Sequence, residues 1–547
     1  MSRGESDHTG VANRIRAVPQ GVRRTGGATA FREPLTALAL VRKGYFPREV
    51  PPPFSTEKLY ALLERAPSAL PRTGGKTEPV RHNLARTGGF RRPFQVPNPR
   101  SYVKLADEFE AQWSTISARV QSNPFSMSQP IVTRTWERAV RPRFRYGEWS
   151  RLRPRDWRGQ RFVLQTDVSQ FYSSLYTQSI PWALEGKSYA KKNIGKTVSD
   201  KLDKALRNVS DGQTMGVPIG PDTSFLAAEI VLTAVDRELA RKIRLKGHRY
   251  LDDYELAFRT RSAAEEAQAL LEDALAVYEL AINPSKTKIL ELPQPFDEAW
   301  THELSTFPIR DSDSSSTLTD LVALFSRASA LSRSATGPLK YALFRSRAAR
   351  IEEAGIWGPF QNLVWSAVSG EPTTMATALD LLAEKAKHIG LPVDEEGAAE
   401  VIEGLISTHS PVRNASELAW SLWAAVALNV QLSRDAAQAV SSIEDDFVAL
   451  LALHAESQGL FPAGLDHSHW EALTDYDAVL KGPHWLLAYE GSVRNWLDAP
   501  TKRIGKDPFF KVLRRRRVRF YDTDPKRNPF TGPSGPLPGG LVPDDYG

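Results

Sequence analysis

An α+β domain joined to a mainly α-helical C-terminal region is the fold class predicted for this chain of 547 residues. Three observations predict it. Between 163 and 296, short apolar stretches of strand character alternate with longer helical ones, as in an α+β or α/β domain. From 317 to about 480 the pattern changes to Ala/Leu-rich helical periodicity, as in TALDLLAEKAKHIG and ASELAWSLWAAVALNV. Within the first of these regions, HRYLDDYELAF (248–258) alternates as two strands would around an acidic turn.

Hydrophobic residues make up 41% and charged residues 25% of the chain, the balance of an ordinary soluble protein. No apolar run is long enough to span a bilayer and the polar N-terminus lacks a signal-peptide core, so a cytoplasmic location is expected. With no cysteine, disulfides, thiol nucleophiles and zinc–thiolate sites are excluded. The net charge of +7 is unevenly spread: residues 1–160 hold 29 Lys and Arg against 13 Asp and Glu, leaving the remainder net acidic. Arginine supplies most of that excess, and guanidinium groups grip phosphates bidentately, so a polyanionic partner is expected.

In chain order, residues 1–30 are Gly, Arg and Ser rich without periodicity and read as a disordered basic arm. Residues 31–160 form an N-terminal region. Its first helical stretch is broken by Gly44, Pro47 and Pro51 to Pro53 in VRKGYFPREVPPPF. TGGKT at 73–77 is not a phosphate loop, because the glycine required five residues before Gly75 is Leu70. RHNLARTGGFRRPFQVPNP (81–99) reads as two strands around a Gly88-Gly89 turn, and 101–121 as a helix. RPRFRYGEWSRLRPRDWRGQRF (141–162) mixes Arg with aromatics. That mixture could bind a nucleic-acid strand, or it could be a solvated stretch with its aromatics pinned to the core.

Residues 161–300 carry the strand–helix alternation. In 301–480, DSDSSSTLTD offers Ser and Asp to cap a following helix, and helix pairs stacked as in a solenoid or an irregular bundle are both open. A segment of mixed content, 481–525, is expected to pack on the helical domain. A Pro/Gly-rich tail, 526–547, is expected to be disordered.

Taken singly, the chemistry-bearing pieces have ordinary explanations. Asp252-Asp253 suits a hairpin turn, although adjacent carboxylates on a rigid turn repel unless a cation sits between them. Asp167 ends the apolar strand of FVLQTDVSQFYSSL (162–175), a common place for a helix cap. MGVPIGPDTSFLAAEIVL (215–232) puts Gly216, Pro218, Gly220 and Pro221 before a long apolar helix. AINPSKTKIL (281–290) places Lys286, Thr287 and Lys288 after an Asn283-Pro284 turn.

In this order, the four segments resemble the palm of reverse transcriptases. Asp167 resembles the first catalytic carboxylate, with Tyr172 five residues on. The loop 215–221 resembles Gln-Gly-x-Pro-x-Ser-Pro, with Met215 in place of Gln and Gly220 in place of Ser. Tyr250 to Asp253 resembles the Tyr-x-Asp-Asp box, and Asn283, Lys286 and Thr287 resemble the Asn-x-x-Lys-Thr element. FRRPFQVP resembles the fingers segment Arg-Pro-Leu-x-Ile-Pro, which places Arg92 at the nucleotide-contacting arginine. The likeness covers roughly 80–296 and implies a right-hand polymerase fold with fingers and palm.

It further implies RNA-directed DNA synthesis with two Mg²⁺ about 3.5–4 Å apart, activating the attacking 3′-hydroxyl and stabilising the departing pyrophosphate. Asp167, Asp252 and Asp253 are the implied metal ligands and catalytic carboxylates, with Asp253 the least critical. Arg92 would clamp the deoxynucleoside triphosphate, and Lys286 would protonate pyrophosphate or simply close a surface turn. Tyr172 would exclude a ribose 2′-hydroxyl, and Gly216, Pro218 and Gly220 would let backbone approach the nascent base pair.

KGYFPREVPPPF, DVSQFYSSLYTQSIPWAL and GVPIGPDTSFLAAEI are similar to segments of bacterial abortive-infection and defence-associated reverse transcriptases. That subgroup implies phage defence, a noncoding RNA template or scaffold, a cDNA product, and a homo-oligomer or partner reverse transcriptase. Template-independent or protein-primed synthesis remains open, with Tyr189 and Tyr521 among many candidate priming hydroxyls. So does a non-catalytic nucleic-acid scaffold, against which stands the retention of three mutually repelling carboxylates.

Overall fold

The computed structural model describes residues 34–72, 74–85, 91–133, 138–310, 313–351 and 354–524. The expected basic arm 1–30, the Gly88-Gly89 turn and the expected tail 526–547 lie outside them. Eight strands are described: β1 (Val80–Ala85), β2 (Arg91–Val96), β3 (Pro130–Val132), β4 (Val140–Pro142), β5 (Phe162–Asp167), β6 (Gly247–Tyr250), β7 (Asp253–Phe258) and β8 (Lys288–Glu291). The pairs β1–β2 and β3–β4 form separate two-stranded ribbons, while the other four make one sheet in the order β6-β7-β5-β8. Each pairing in that sheet is antiparallel, which settles the choice between α+β and α/β in favour of α+β.

One face of the sheet carries Leu164 and Leu256 into the main core. Behind them runs the helix Asp222–Lys242, buried nearly all round from Asp222 to Asp236 as befits its apolar sequence. The other face carries Val163 and Ala257, which pack on Trp157 in a small separate cluster. Trp157 and Trp149 belong to the helix Trp149–Trp157 and are both buried. Arg153 of that helix is paired with Glu255 of β7. Trp149 and Trp157 of the 141–162 stretch are therefore pinned to the core.

From 299 onward the described chain is helical. Asp313 caps the helix Ser314–Leu331 by accepting from the Ser316 amide, the role expected of the DSDSSSTLTD stretch. In the final described segment, expected to be of mixed content, the runs HWLLAYE and DPFFKVLRRRR supply the helices Trp485–Val493 and Pro508–Arg515. Short apolar runs do not distinguish a buried strand from a buried helix, and Trp485 to Ser492 is buried on every side.

This C-terminal end also packs on the N-terminal region. Phe54 bridges Tyr521, the Ser55 amide donates to Phe520 O, and the Asp522 amide to Pro53 O. Arg91 of β2 makes a bidentate pair with Glu417, and His82 of β1 bonds Asp445. One continuous hydrophobic cluster consequently runs from Leu35 to Tyr521.

Candidate active site

Asp167 ends β5 and stands directly opposite Asp253, the first residue of β7. The β6–β7 turn consists of Leu251 and Asp252 alone, with Tyr250 paired to Asp253. A two-residue hairpin loop favours positive φ at its first position, usually met by glycine. Here Leu251 adopts it, at φ 51°. A bulky residue held there is strained by about 1–3 kcal/mol and needs support.

The support is a buried ionic network. Arg249 of β6 is inaccessible to solvent and donates to Leu251 O at 2.8 Å, while the Leu251 amide donates to Ser128 Oγ at 2.8 Å. The same guanidinium bonds Glu229 at 2.7 and 3.2 Å and Asp236 at 2.8 Å, both from the central helix. Ser126 and Ser128 donate to Glu229, and Asn123 and Tyr254 donate to Asp236, so the carboxylates are fully bonded. Burial pulls the Arg249 guanidinium down, but Asp236 and Glu229 carry it well above its ordinary range, keeping it charged. Sequence reasoning missed these residues because charged side chains are expected outside. Two carboxylates seven residues apart, on one stripe of an otherwise apolar helix, were the available signal.

The catalytic candidates meet in front of this hairpin. Lys286 Nζ lies 2.6 Å from Asp167 Oδ2, whereas the buried Asp167 Oδ1 has no partner. Burial pushes the Asp252 carboxyl up to about 6, and Asp167 adds repulsion, while the charges of Arg92 and Lys286 pull the other way. Asp167, Asp252, Arg92 and Lys286 thus share one electrostatic site. The Val168 amide donates to Asp252 O, and the Asn283 amide to Asp167 O, locking strand end, turn and the Asn283 loop together.

Among the described residues, no three His, Cys, Asp or Glu side chains stand together as a metal-holding group. The donor set nevertheless fits Mg²⁺, which takes one or two carboxylates and completes its shell with water and substrate phosphate. An orphaned oxygen on Asp167 and a carboxyl raised by burial, with added repulsion from Asp167, are the features that a cation would relieve. Asp253 is the remaining acid, placed beside the pair by the register.

Tyr172 sits on the turn Phe171–Ser174 just after β5, partly buried, and its carbonyl accepts from the Val217 amide. Gly216 has φ 84°, and a Cβ there would stand 3.1 Å from Ser173 O, so the loop follows the Tyr172 turn more closely than a side chain allows. Pro218 is buried, the Gln95 amide of β2 donates to Ile219 O, and Arg138 donates to Gly220 O at 2.7 Å. The loop 216–220 therefore joins the Tyr172 turn to the strand that carries Arg92. Of the two named tyrosine hydroxyls, Tyr189 is 56% exposed, whereas Tyr521 is wholly buried and bonded to His454 Nδ1 at 2.8 Å. That burial removes Tyr521 as a primer.

Paired carboxylates at a strand end and the neighbouring turn, beside a lysine and an arginine, are an arrangement suited to nucleotidyl transfer. The match to known proteins agrees: residues 135–313 match the family described as reverse transcriptase (RNA-dependent DNA polymerase). A reverse transcriptase domain is present, and the enzyme class it supports is RNA-directed DNA polymerase. No curated protein matches the chain. Among solved structures, apo telomerase from Candida Tropicalis is similar at 10% identity and a TM-score of 0.33. That match covers 62% of this chain and 66% of the telomerase chain. No helix among the described residues is long and apolar enough to cross a membrane.

Proposed function

We propose that this protein copies RNA into DNA by adding deoxynucleotides to a 3′-hydroxyl with two Mg²⁺, and that it serves bacterial defence against phage. The observation that carries the polymerase reading is the Asp167–Asp252 pair, with one oxygen orphaned and Lys286 on another. When bound, the metal ions lower the barrier to attack on the α-phosphate and stabilise the leaving oxygen. Asp167 and Asp252 would hold them, with Asp253 adding negative field.

Lys286, 62% exposed and bonded to Asp167, would hand a proton to the departing pyrophosphate. Arg92, reaching the site from β2, would grip the triphosphate. Tyr172 would pack under the sugar and reject a 2′-hydroxyl. The Gly216–Gly220 loop would let backbone approach the base pair. The defence role rests on the resemblance of the 43–54, 167–184 and 216–230 strings and on the helical region that follows.

The test is synthesis by purified protein with Mg²⁺ and labelled deoxynucleotides, with and without co-purifying RNA, followed by nuclease and protease digestion. RNA-dependent, nuclease-sensitive product is expected, and Asp252→Asn abolishes it while the circular dichroism spectrum is retained. Product that forms without RNA or stays linked to protein would replace the templated reading. Synthesis by the Asp252→Asn protein would refute the metal assignment.

A further inference from the structure

A dense run of exposed cations lies on the last described segment. Lys502, Lys506, Lys511, Arg514, Arg515, Arg516 and Arg517 are all exposed. Among the described residues none of the seven is paired with a carboxylate; the nearby Asp507 is taken by Arg100, and Asp475 pairs with Arg503. Two arginines in a last helical turn would complement the helix dipole. Seven unpaired cations within sixteen residues exceed that need, and their mutual repulsion is relieved by a polyanion.

The platform is rigid. Phe509, Phe510, Leu513, Phe520 and Tyr521 are buried beneath these cations, so the charges stand on a fixed base. Beside them opens a cleft of about 490 Å³ lined by Arg494, Arg519, Trp496, Ser457, Gln458 and Thr523. Arg519 donates to the carbonyls of Val518 and Val493 at 3.0 and 3.3 Å, shares the field of the buried Glu490 with Arg494, and lines the cleft. Arg494 lies over the Trp496 ring at 5.0 Å and is held by Glu490. Arginine interleaved with an aromatic face is the chemistry that tracks a single nucleic-acid strand, and hydroxyl and amide groups can bond a ribose 2′-hydroxyl.

We propose that the cleft at Arg519 and the arginine run Arg514–Arg517 form an RNA-docking surface that holds a single strand by its phosphates away from the catalytic carboxylates. It rests on the reading of the chain as an RNA-copying enzyme, because template or scaffold RNA must be held before synthesis begins. Each phosphate neutralised on a single strand contributes about 0.7 to the slope of log affinity against log salt.

The test titrates full-length protein against a 5′-fluorescein-labelled 20-nucleotide oligo(U) RNA by anisotropy at 50–200 mM KCl, without nucleotide or metal. Replacing Arg514, Arg515, Arg516 and Arg517 together by Gln should lower the slope by about 3. Wild type would then lose about 50-fold more affinity than the variant across that range. The corresponding four-lysine variant should keep the wild-type slope, showing that charge and not folding is read. Equal slopes for wild type and the Gln variant overturn the proposal. So does a loss as large with the oligo(dT) DNA counterpart, which would assign the surface to product DNA. A loss confined to vesicles of phosphatidylglycerol overturns it as well. Because the titration reads binding alone, a failed synthesis assay leaves it standing, and equal slopes leave the polymerase reading intact.

Discussion

Replacing Arg249 by Met should disable the enzyme without touching any group proposed to contact substrate. The change leaves Glu229 and Asp236, both about fully buried, without their cation. Breaking such a buried pair costs about 3–5 kcal/mol, a large share of the roughly 5–15 kcal/mol that holds a domain folded. It also frees Leu251 O, so the strained turn bearing Asp252 loses one of its two backbone anchors. A misplacement of about 1 Å at a reacting group is worth on the order of 100-fold in rate.

Urea unfolding followed by far-UV circular dichroism should therefore show a stability loss of about 3–5 kcal/mol at pH 7.5. Primer extension on an RNA template should fall by about 100-fold in kcat, with the KM for deoxynucleotide little changed. The stability deficit has a pH signature. Two unpaired buried carboxylates have folded pKa values raised above their unfolded ones, so the folded variant binds more protons and is penalised increasingly as pH rises. The deficit should shrink toward pH 5. Neutralising all three groups together (Arg249→Met, Glu229→Gln, Asp236→Asn) should cost less stability than Arg249→Met alone. A single variant with wild-type unfolding midpoint and undiminished synthesis would show that the network does not hold the turn.

Tyr172→Ala should raise incorporation of ribonucleotides relative to deoxynucleotides; unchanged sugar selectivity in competition assays removes the gate role. Gly216→Ala forces a side chain onto φ 84° against Ser173 O, and about 1–3 kcal/mol of local strain should appear as weakened synthesis; full activity would show that the loop can shift. His454 is pushed down to about 4, by burial first and by the Arg494 charge second. Its folded pKa lies below the unfolded 6.5, so the stability it contributes is complete above pH 6.5 and is lost as pH falls toward 4, up to about 3 kcal/mol. Urea titrations of His454→Gln should show a shallower decline over that window than wild type.

The parts of the site that were legible in sequence are those where backbone geometry and side-chain type carry the signal together. The strand ending at Asp167, the hairpin around Leu251-Asp252 and the glycine loop each leave a local pattern. Their order along the chain adds specificity that no single piece has. What escaped is non-local. Nothing near Arg249 in sequence announces that it meets Glu229 and Asp236 of another element inside the core. Likewise, Arg91 and Glu417, or Arg100 and Asp507, find each other only after the helices have packed. The helical state of the C-terminal segment was not legible because a run such as WLLAYE, buried on all sides, has no periodic polar face to betray its period.

The clasp between the two ends of the described chain bears on when the enzyme matures. Arg100 and Asp507 are separated by 407 positions, and the bonds from Ser55 to Phe520 and from Asp522 to Pro53 span still more. At about 5–20 residues per second of translation, the N-terminal segment waits roughly 20–80 seconds for these partners. Through that interval Phe54 and the β1–β2 ribbon lack the surfaces that bury them. A nascent chain released early would expose apolar surface and leave Arg91 of β2 without Glu417. The packing of Phe54 against Tyr521 is thus completed only once the chain has been made through Asp522.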